Sequence, residues 1–399
     1  MNIRKLKRER ELLIEKLDHA FKQATGISEI KNINDNLFIP LSQVERKQLH
    51  DADGNELSWK TSRVNSSACL LLNTFSGLRQ GVPLVIDGLG TYQNYQLEAK
   101  LKVLNTRGNK ANIDMVLSNE DSVVYIESKF IELFYYESQY SLSDSYFIEE
   151  NYPSKSIYEA SIQLFSQFNY FNADQLIKHT IGIYRDCIDH KDKYNKKSLK
   201  LMNLSWELHD STNKFEDSFI LQLKAIKEAS VFTRMFNKLM KKVFKEIGID
   251  FEFIYMNYFD FTFHQSNILG NDEELSKYLS KRYYFYKNRK EYIDNKIEYL
   301  KSHIENDLSL EDLEDFLDRF KIINIHESYQ ADKLIYKEEY VALSDAMILI
   351  GPEISNFPIN YDSTNINEFL HIVSPLYYNH YTTVYLSNDL PRIKHCLIR

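Results

Sequence analysis

Glycine and proline are scarce in this chain, at 11 and 7 of 399 residues. So few turn-formers and element-breakers exclude a linker-rich or low-complexity architecture and favour long, well-packed elements. Cysteine is scarcer still. Cys69, Cys187 and Cys396 are odd in number and far apart, which excludes a disulfide framework or a zinc-ligand spacing and makes a reducing cytoplasm the expected compartment. No run approaches the roughly 20 apolar residues of a membrane span, so no membrane partner is expected. The opening MNIRKLKRER runs into ELLIEKLDHAF, where charges interrupt the apolar core that a signal peptide needs. Excess positive charge is lacking too: the formal net charge is −8. Bulk electrostatics therefore do not advertise a nucleic-acid binder, and such binding would need basic residues gathered on one face.

What is present is aromatic and periodic. The chain carries 28 Tyr and 24 Phe, enough large side chains for a full core and for two or three domains at this length. Residues 4–24 read as an amphipathic helix with Leu13, Leu17, Ala20 and Phe21 on one face, and SSACLLLNTF, from Ser66, as a buried helix opened by serine. Three strand-like segments follow near 95–104, 111–117 and 122–130, joined by the turn-forming NTRGN and SNEDS. A helix is expected over SIYEASIQLFSQFNYF and another over 174–188, then a strand near 199–206, a long helix over about 218–247 and a strand at 249–256. Three antiparallel strands followed by helix, strand, helix, strand make a mixed α/β sheet with helical N- and C-terminal additions. The expected divisions are an N-terminal helical region (1–60), a core (61–260) and a mostly helical C-terminal region (261–399).

The stretch NIDMVLSNEDSVVYIESKF, residues 112–130, places charge inside that sheet. Alternate residues of a strand share a face, so Glu127 and Lys129 point the same way. Pairing the hairpin symmetrically about Glu120 and Asp121 sets Asp114 opposite Glu127. Two adjacent carboxylates repel unless a cation lies between them, and a hard divalent ion such as Mg²⁺ suits oxygen ligands. Such a site can polarise a phosphodiester and lower the pKa of a bound water, with Lys129 orienting or deprotonating that water or neutralising the phosphate. Glu98, on the polar face of the preceding strand, is a candidate further ligand. The alternative is a salt-bridged surface hairpin contributing about 0–1 kcal/mol. Acid-x-Lys tripeptides occur six times, at Glu29, Glu45, Glu98, Glu127, Asp189 and Asp294. Only the Glu127 copy ends an apolar strand with an aspartate on its partner.

The order acid, ID, IESK resembles the PD-(D/E)xK nuclease superfamily. More narrowly, SSACLLLNTF, NIDMVL, IESKF and a following QLF helix are similar to a group of bacterial restriction-endonuclease-like proteins, over roughly residues 62–260. The resemblance implies a restriction-endonuclease-like fold, with Asp114 and Glu127 on the metal, Lys129 as catalytic lysine and Glu98 as the upstream acid. Ile113 stands in place of the superfamily's nominal proline, and Ala68 where glutamine is expected after the serine pair. Gln163, on the next helix, is a candidate to face the site; the other reading is a solvated position beside Gln167. Ser67 and Asn73 are expected to cap and fasten their helix.

For DNA, Arg234, Lys238, Lys241, Lys242 and Lys245 recur along one stripe of a helix, opposite an apolar face of Phe232, Phe236, Leu239, Met240 and Val243. A solvated helix face is the plain alternative. KRYYFYKNRK, residues 281–290, reads either as a nucleic-acid clamp or as an amphipathic helix packing its tyrosines, and RKLKRER near the start is a weaker candidate. The combined expectation is a Mg²⁺-dependent DNA endonuclease, with Mn²⁺ substituting, of restriction or phage-defence type and working as a homodimer. The rivals are a non-catalytic DNA-binding or assembly protein on the same fold, and an RNase or structure-specific nuclease.

Overall fold

The computed structural model describes residues 3–52, 61–106, 110–134, 142–208, 213–270, 272–285, 322–330, 333–337, 382–383 and 396–398. The chain divides into two compact units, one of Met1–Glu207 with Glu228–Phe285 and one of Leu208–Lys227 with Tyr286–Arg399. The first unit thus takes in the N-terminal helices together with the sheet, and extends past residue 260 to Phe285.

Helices α1 (Ile3–Thr25), α2 (Gln43–Asp51), α3 (Ser67–Thr74) and α4 (Ser76–Arg79) lead into a short hairpin of β1 (Leu84–Ile86) and β2 (Gly90–Tyr92). The strands β3 (Asn94–Lys102), β4 (Lys110–Ser118) and β5 (Ser122–Lys129) follow. Then come α5 (Lys155–Ile162), α6 (Ala173–Asp189), α7 (Lys191–Tyr194), β6 (Ser198–Ser205), α8 (Glu216–Lys245), β7 (Asp250–Asn257), α9 (Tyr258–Asp260) and α10 (Glu273–Leu279). The sheet is five-stranded, in the order β3-β4-β5-β6-β7. The first three strands pair antiparallel and the last three parallel, so the protein is α/β with a mixed sheet. In the second unit, β8 (Ile322–Gln330), β9 (Lys333–Lys337), β10 (Thr382–Thr383) and β11 (Cys396–Ile398) form a separate sheet in the order β10-β11-β8-β9.

The alternation seen in the sequence becomes two faces of one sheet. On β4, Ala111, Ile113, Met115 and Leu117 are buried while the residues between them are half-buried. β5 lies at the centre, and every residue but Lys129 is buried. Helix α3 lies against β5 on one side, where the Ser128 hydroxyl donates to the Ser67 carbonyl at 3.1 Å. On the other side α8 lays Phe232 and Phe236 on Phe253, and Phe244 stacks on Phe251 at 4.1 Å. Each such ring fully removed from water contributes about 1.5–3 kcal/mol.

Asn73 fastens the N-terminal part as expected. Its amide nitrogen donates to the Asn36 carbonyl and the Tyr283 hydroxyl, and its oxygen accepts the Phe38 amide. The α3 cap is Ser66, whose side chain accepts from the Cys69 amide. The helix expected over SIYEASIQLFSQFNYF stops at Ile162. Ser166 takes a left-handed φ of 58° and its amide donates to Asp174, while Glu228 accepts the amides of Asn169, Tyr170 and Phe171. Carboxylates from other elements thus take the amides that a continuing helix would have bonded internally. Among the described residues, no helix is long and apolar enough to cross a membrane.

Candidate active site

The antiparallel ladder between β4 and β5 runs from Ser118↔Val123 to Met115↔Ile126. Asp114 and Glu127 are next in that register, but there the ladder ends. The Ser128 amide instead donates to Asp114 Oδ2 at 2.7 Å, so a side-chain carboxylate replaces a main-chain carbonyl as acceptor. β5 continues beside β6 as far as Lys129↔Ser205. The two strands of the hairpin therefore part where the carboxylates sit, at the carboxyl ends of the parallel strands, the usual place for ligands in α/β sheets.

Glu98 adds a third acid. The β3–β4 ladder pairs Leu97 with Met115 and Ala99 with Ile113, which sets Glu98 opposite Asp114. Its φ of 49° is left-handed, a conformation that costs a non-glycine residue about 1–2 kcal/mol and is met at functional sites. The electrostatics follow from this crowding. Burial pushes the Asp114 carboxyl well above its ordinary range, the charges of Glu127 and Glu98 push it further, and Lys129 with the Ser128 amide opposes them.

Glu127 is 2% exposed and survives burial because it is surrounded by donors. Its Oε1 lies 2.7 Å from Lys129 Nζ and 2.6 Å from Gln175 Nε2, and its Oε2 lies 2.9 Å from His179 Nε2. Burial disfavours its charged form, but Lys129 and His179 outweigh burial and hold the carboxyl below its usual value. Lys129 is also held by Gln175 Oε1 at 2.9 Å. Burial alone would lower the Lys129 ammonium, yet Glu127, Glu132 and Asp114 together raise it above its ordinary value.

Gln175 and His179 stand one turn apart on α6. That helix approaches the sheet closely: a Cβ at Gly182 would lie 2.9 Å from Leu101 Cβ. Sequence reasoning missed both residues. The available signal was polar side chains on the inward face of a helix that is otherwise Leu176, Ile177, Thr180 and Ile183. Gln163 is exposed and donates to the Glu159 carbonyl at 2.9 Å within its own helix; the glutamine brought to Lys129 is Gln175.

Among the described residues, no group of three or more His, Cys, Asp or Glu is arranged to hold a metal ion. The donor chemistry of Asp114, Glu127 and Glu98 nonetheless fits a hard divalent cation. Burial raises Asp114 most, and the repulsion from Glu127 and Glu98 that adds to it is the kind that a bound cation relieves.

Arg234, Lys238, Lys241, Lys242 and Lys245 are all exposed, opposite the buried Phe232, Phe236, Met240 and Val243. Lys241 pairs with Glu252 at 3.0 Å. Of residues 281–290, the described part is packed rather than presented. Arg282, Tyr283 and Tyr284 are buried, and Arg282 donates to Asn36 Oδ1 at 2.6 Å and lies over the Phe21 ring. That removes residues 282–284 as a nucleic-acid clamp; residues 286–290 lie outside the described residues.

No curated protein and no solved structure matches this chain. One family model, described as restriction endonuclease associating with ARP, matches residues 5–215. That span includes Glu98, Asp114, Glu127, Lys129, Gln175 and His179 and ends before the basic stripe. More than half of the chain carries the match, and the description points to a nuclease-type function. The chain belongs to the family of restriction endonucleases associating with ARP.

Proposed function

We propose that the protein is a Mg²⁺-dependent DNA endonuclease of PD-(D/E)xK type on a restriction-endonuclease-like fold, acting in restriction or phage defence. The observation that carries this reading is the convergence of Glu98, Asp114 and Glu127 where β4 and β5 part, around one lysine. When bound, Mg²⁺ or Mn²⁺ supplies Lewis acidity toward the phosphodiester and a more acidic water. Asp114 and Glu127 hold the ion, with Glu98 as the upstream acid.

In the ion-free site the carboxylate neighbours of Lys129 outweigh burial and raise its proton affinity. With the ion on Asp114 and Glu127, Lys129 orients or deprotonates the attacking water or neutralises charge on the phosphate. Arg234, Lys238, Lys241, Lys242 and Lys245 are the phosphate-contacting stripe. A symmetric homodimer in the cytoplasm would bring two such sites to a duplex.

The test is a cleavage screen of purified protein on methylated and unmethylated duplex, single-stranded DNA and RNA, with Mg²⁺, with Mn²⁺ and with chelator. Cutting should need the ion, and Asp114→Ala and Lys129→Ala should each lower it by about 10²–10³ or more with the circular dichroism spectrum unchanged. If both variants cut like the parent, the site assignment is wrong. Cutting of RNA alone would redirect the same chemistry to a ribonuclease.

A second reading has its own observation. Both oxygens of Glu127 already contact Lys129, Gln175 and His179, as suits a non-catalytic DNA-binding or assembly protein that keeps the fold. A gel shift without ion-dependent cutting on any substrate would favour it.

A further inference from the structure

The contacts of Glu127 can be counted by lone pair. A carboxylate oxygen has two acceptor sites. Oε1 has both taken, by Lys129 Nζ at 2.7 Å and Gln175 Nε2 at 2.6 Å. Oε2 has one neighbour, His179 Nε2 at 2.9 Å. Whatever cation Glu127 binds therefore meets it through Oε2, at the remaining site, with the imidazole already beside it.

The ring is built into this place. His179 is 3% exposed, and α6 is pressed against β3 at Gly182, so the ring stays on the sheet side. Both ring nitrogens and Glu127 Oε2 are buried without a hydrogen bond among the described residues, and Nε2 and Oε2 meet as an ion-pair contact at 2.9 Å, off the angle of a hydrogen bond. A histidine kept for packing alone would have its nitrogens bonded, since buried polar atoms are nearly always satisfied, whereas this one brings Nε2 against an equally unbonded carboxylate oxygen. Leucine would fill much of the same space without burying a bare nitrogen. What this histidine does make is the contact with Glu127.

We infer that His179 is a positioning residue that fixes Oε2 of Glu127 so that the carboxylate offers a divalent ion one oxygen in one orientation, with Gln175 and Lys129 locking the other oxygen away. This rests on the metal-dependent reading above. Outer partners of this kind typically carry 10–100-fold of a site's metal affinity, because they remove the rotational freedom that the ligand would otherwise lose on binding.

The experiment is calorimetric titration of Mg²⁺ and of Mn²⁺ into the full chain, without DNA, for the parent, His179→Leu, His179→Gln and Asp114→Asn. His179→Leu is expected to weaken binding about 10–100-fold, measured at a temperature where its unfolding curve shows it fully folded. His179→Gln, which keeps an N–H toward Glu127, is expected to recover most of that loss. In cleavage assays, raising the ion concentration should restore His179→Leu but neither Asp114→Ala nor Lys129→Ala.

Binding by His179→Leu as tight as the parent's, or tighter, overturns the inference, as does a His179→Gln variant as weak as His179→Leu. Should His179→Leu fail to fold, His179→Asn, whose shorter amide falls short of Glu127, takes its place with the same expectations. A parent that binds neither ion, or an Asp114→Asn variant that binds like the parent, overturns the metal-dependent reading itself and the inference with it. A normal response of Asp114→Asn with a silent His179 overturns the inference alone.

Discussion

Of the glutamates buried in the first unit, two begin an acid-x-Lys tripeptide, Glu45 and Glu127. Glu45, on α2, meets one arginine: Arg79 Nε lies 2.5 Å from Oε1, the Tyr95 hydroxyl donates to Oε1 at 3.0 Å, and the Ser42 amide donates to Oε2 at 2.7 Å. Burial works against its charge, but Arg79 and Ser42 lower its pKa overall. One acid and one base cancel there, and the set is closed. Around Glu127, Lys129 and His179 face Glu127, Asp114, Glu98 and Glu132, and Asp114, raised first by burial and then by the charges of Glu127 and Glu98, carries the imbalance. A balanced pair holds a fold together. An unbalanced one stores a demand for positive charge, which is why the second cluster reads as a site and the first as a fastening.

The contrast can be broken most severely at Arg79. Arg79→Met leaves Glu45 buried without its cation and should cost about 3–5 kcal/mol in urea unfolding, whereas Asp114→Asn should not destabilise at all. Next in size is Gly182→Val, which forces atoms into the 2.9 Å approach between α6 and Leu101. It should cost about 1–3 kcal/mol and, by lifting Gln175 and His179 from Glu127, weaken Mn²⁺ binding in the same sample. If stability falls and Mn²⁺ affinity does not, α6 does not set the site.

The third effect has the opposite sign. Asp114→Asn removes repulsion and should stabilise the ion-free protein by about 0.5–2 kcal/mol at neutral pH. Because the folded pKa of Asp114 is raised above 3.8, the parent loses stability as pH climbs from 3.8 through the folded value. The gain from Asp114→Asn should therefore appear across that window and vanish in acid. Glu45 runs the other way. Its folded pKa lies below 4.5, so its contribution is whole above 4.5 and is lost as pH falls through the folded value. Unfolding curves at a series of pH values check both signs. The smallest effect lies outside either cluster. Losing one phosphate-contacting lysine should lower the salt slope of DNA binding by about 0.9. Lys241→Ala, whose charge Glu252 already takes up, should lower it less than Lys238→Ala.

Much of the sheet was legible because strand alternation is local. The three strands expected near 95–104, 111–117 and 122–130 are β3, β4 and β5, and the symmetric register holds because the turn is tied at Asn119, whose Oδ1 accepts the amides of Asp121 and Ser122. The helix over residues 156–171 overran because its end is set by Asp174 and Glu228, which periodicity cannot report. The β1–β2 hairpin went unread, since strands of three residues carry almost no period. The bases and aromatics of 281–290 drew attention as a clamp. Arg282 is instead a core residue, tied to Asn36 and stacked on Phe21.

By itself the sequence determined that Glu127 and Lys129 share a face and that Asp114 lies opposite Glu127, because a two-residue period and a short turn leave little choice. Only the tertiary structure decided what those charges meet. Gln175, 48 residues from Glu127, and His179 one turn beyond it reach the carboxylate because α6 packs on the sheet through Gly182. The strands part at Asp114 because a side chain, not a carbonyl, accepts the Ser128 amide. Alternation is written residue by residue, but the partners of a buried charge are chosen by whichever distant element is packed against it.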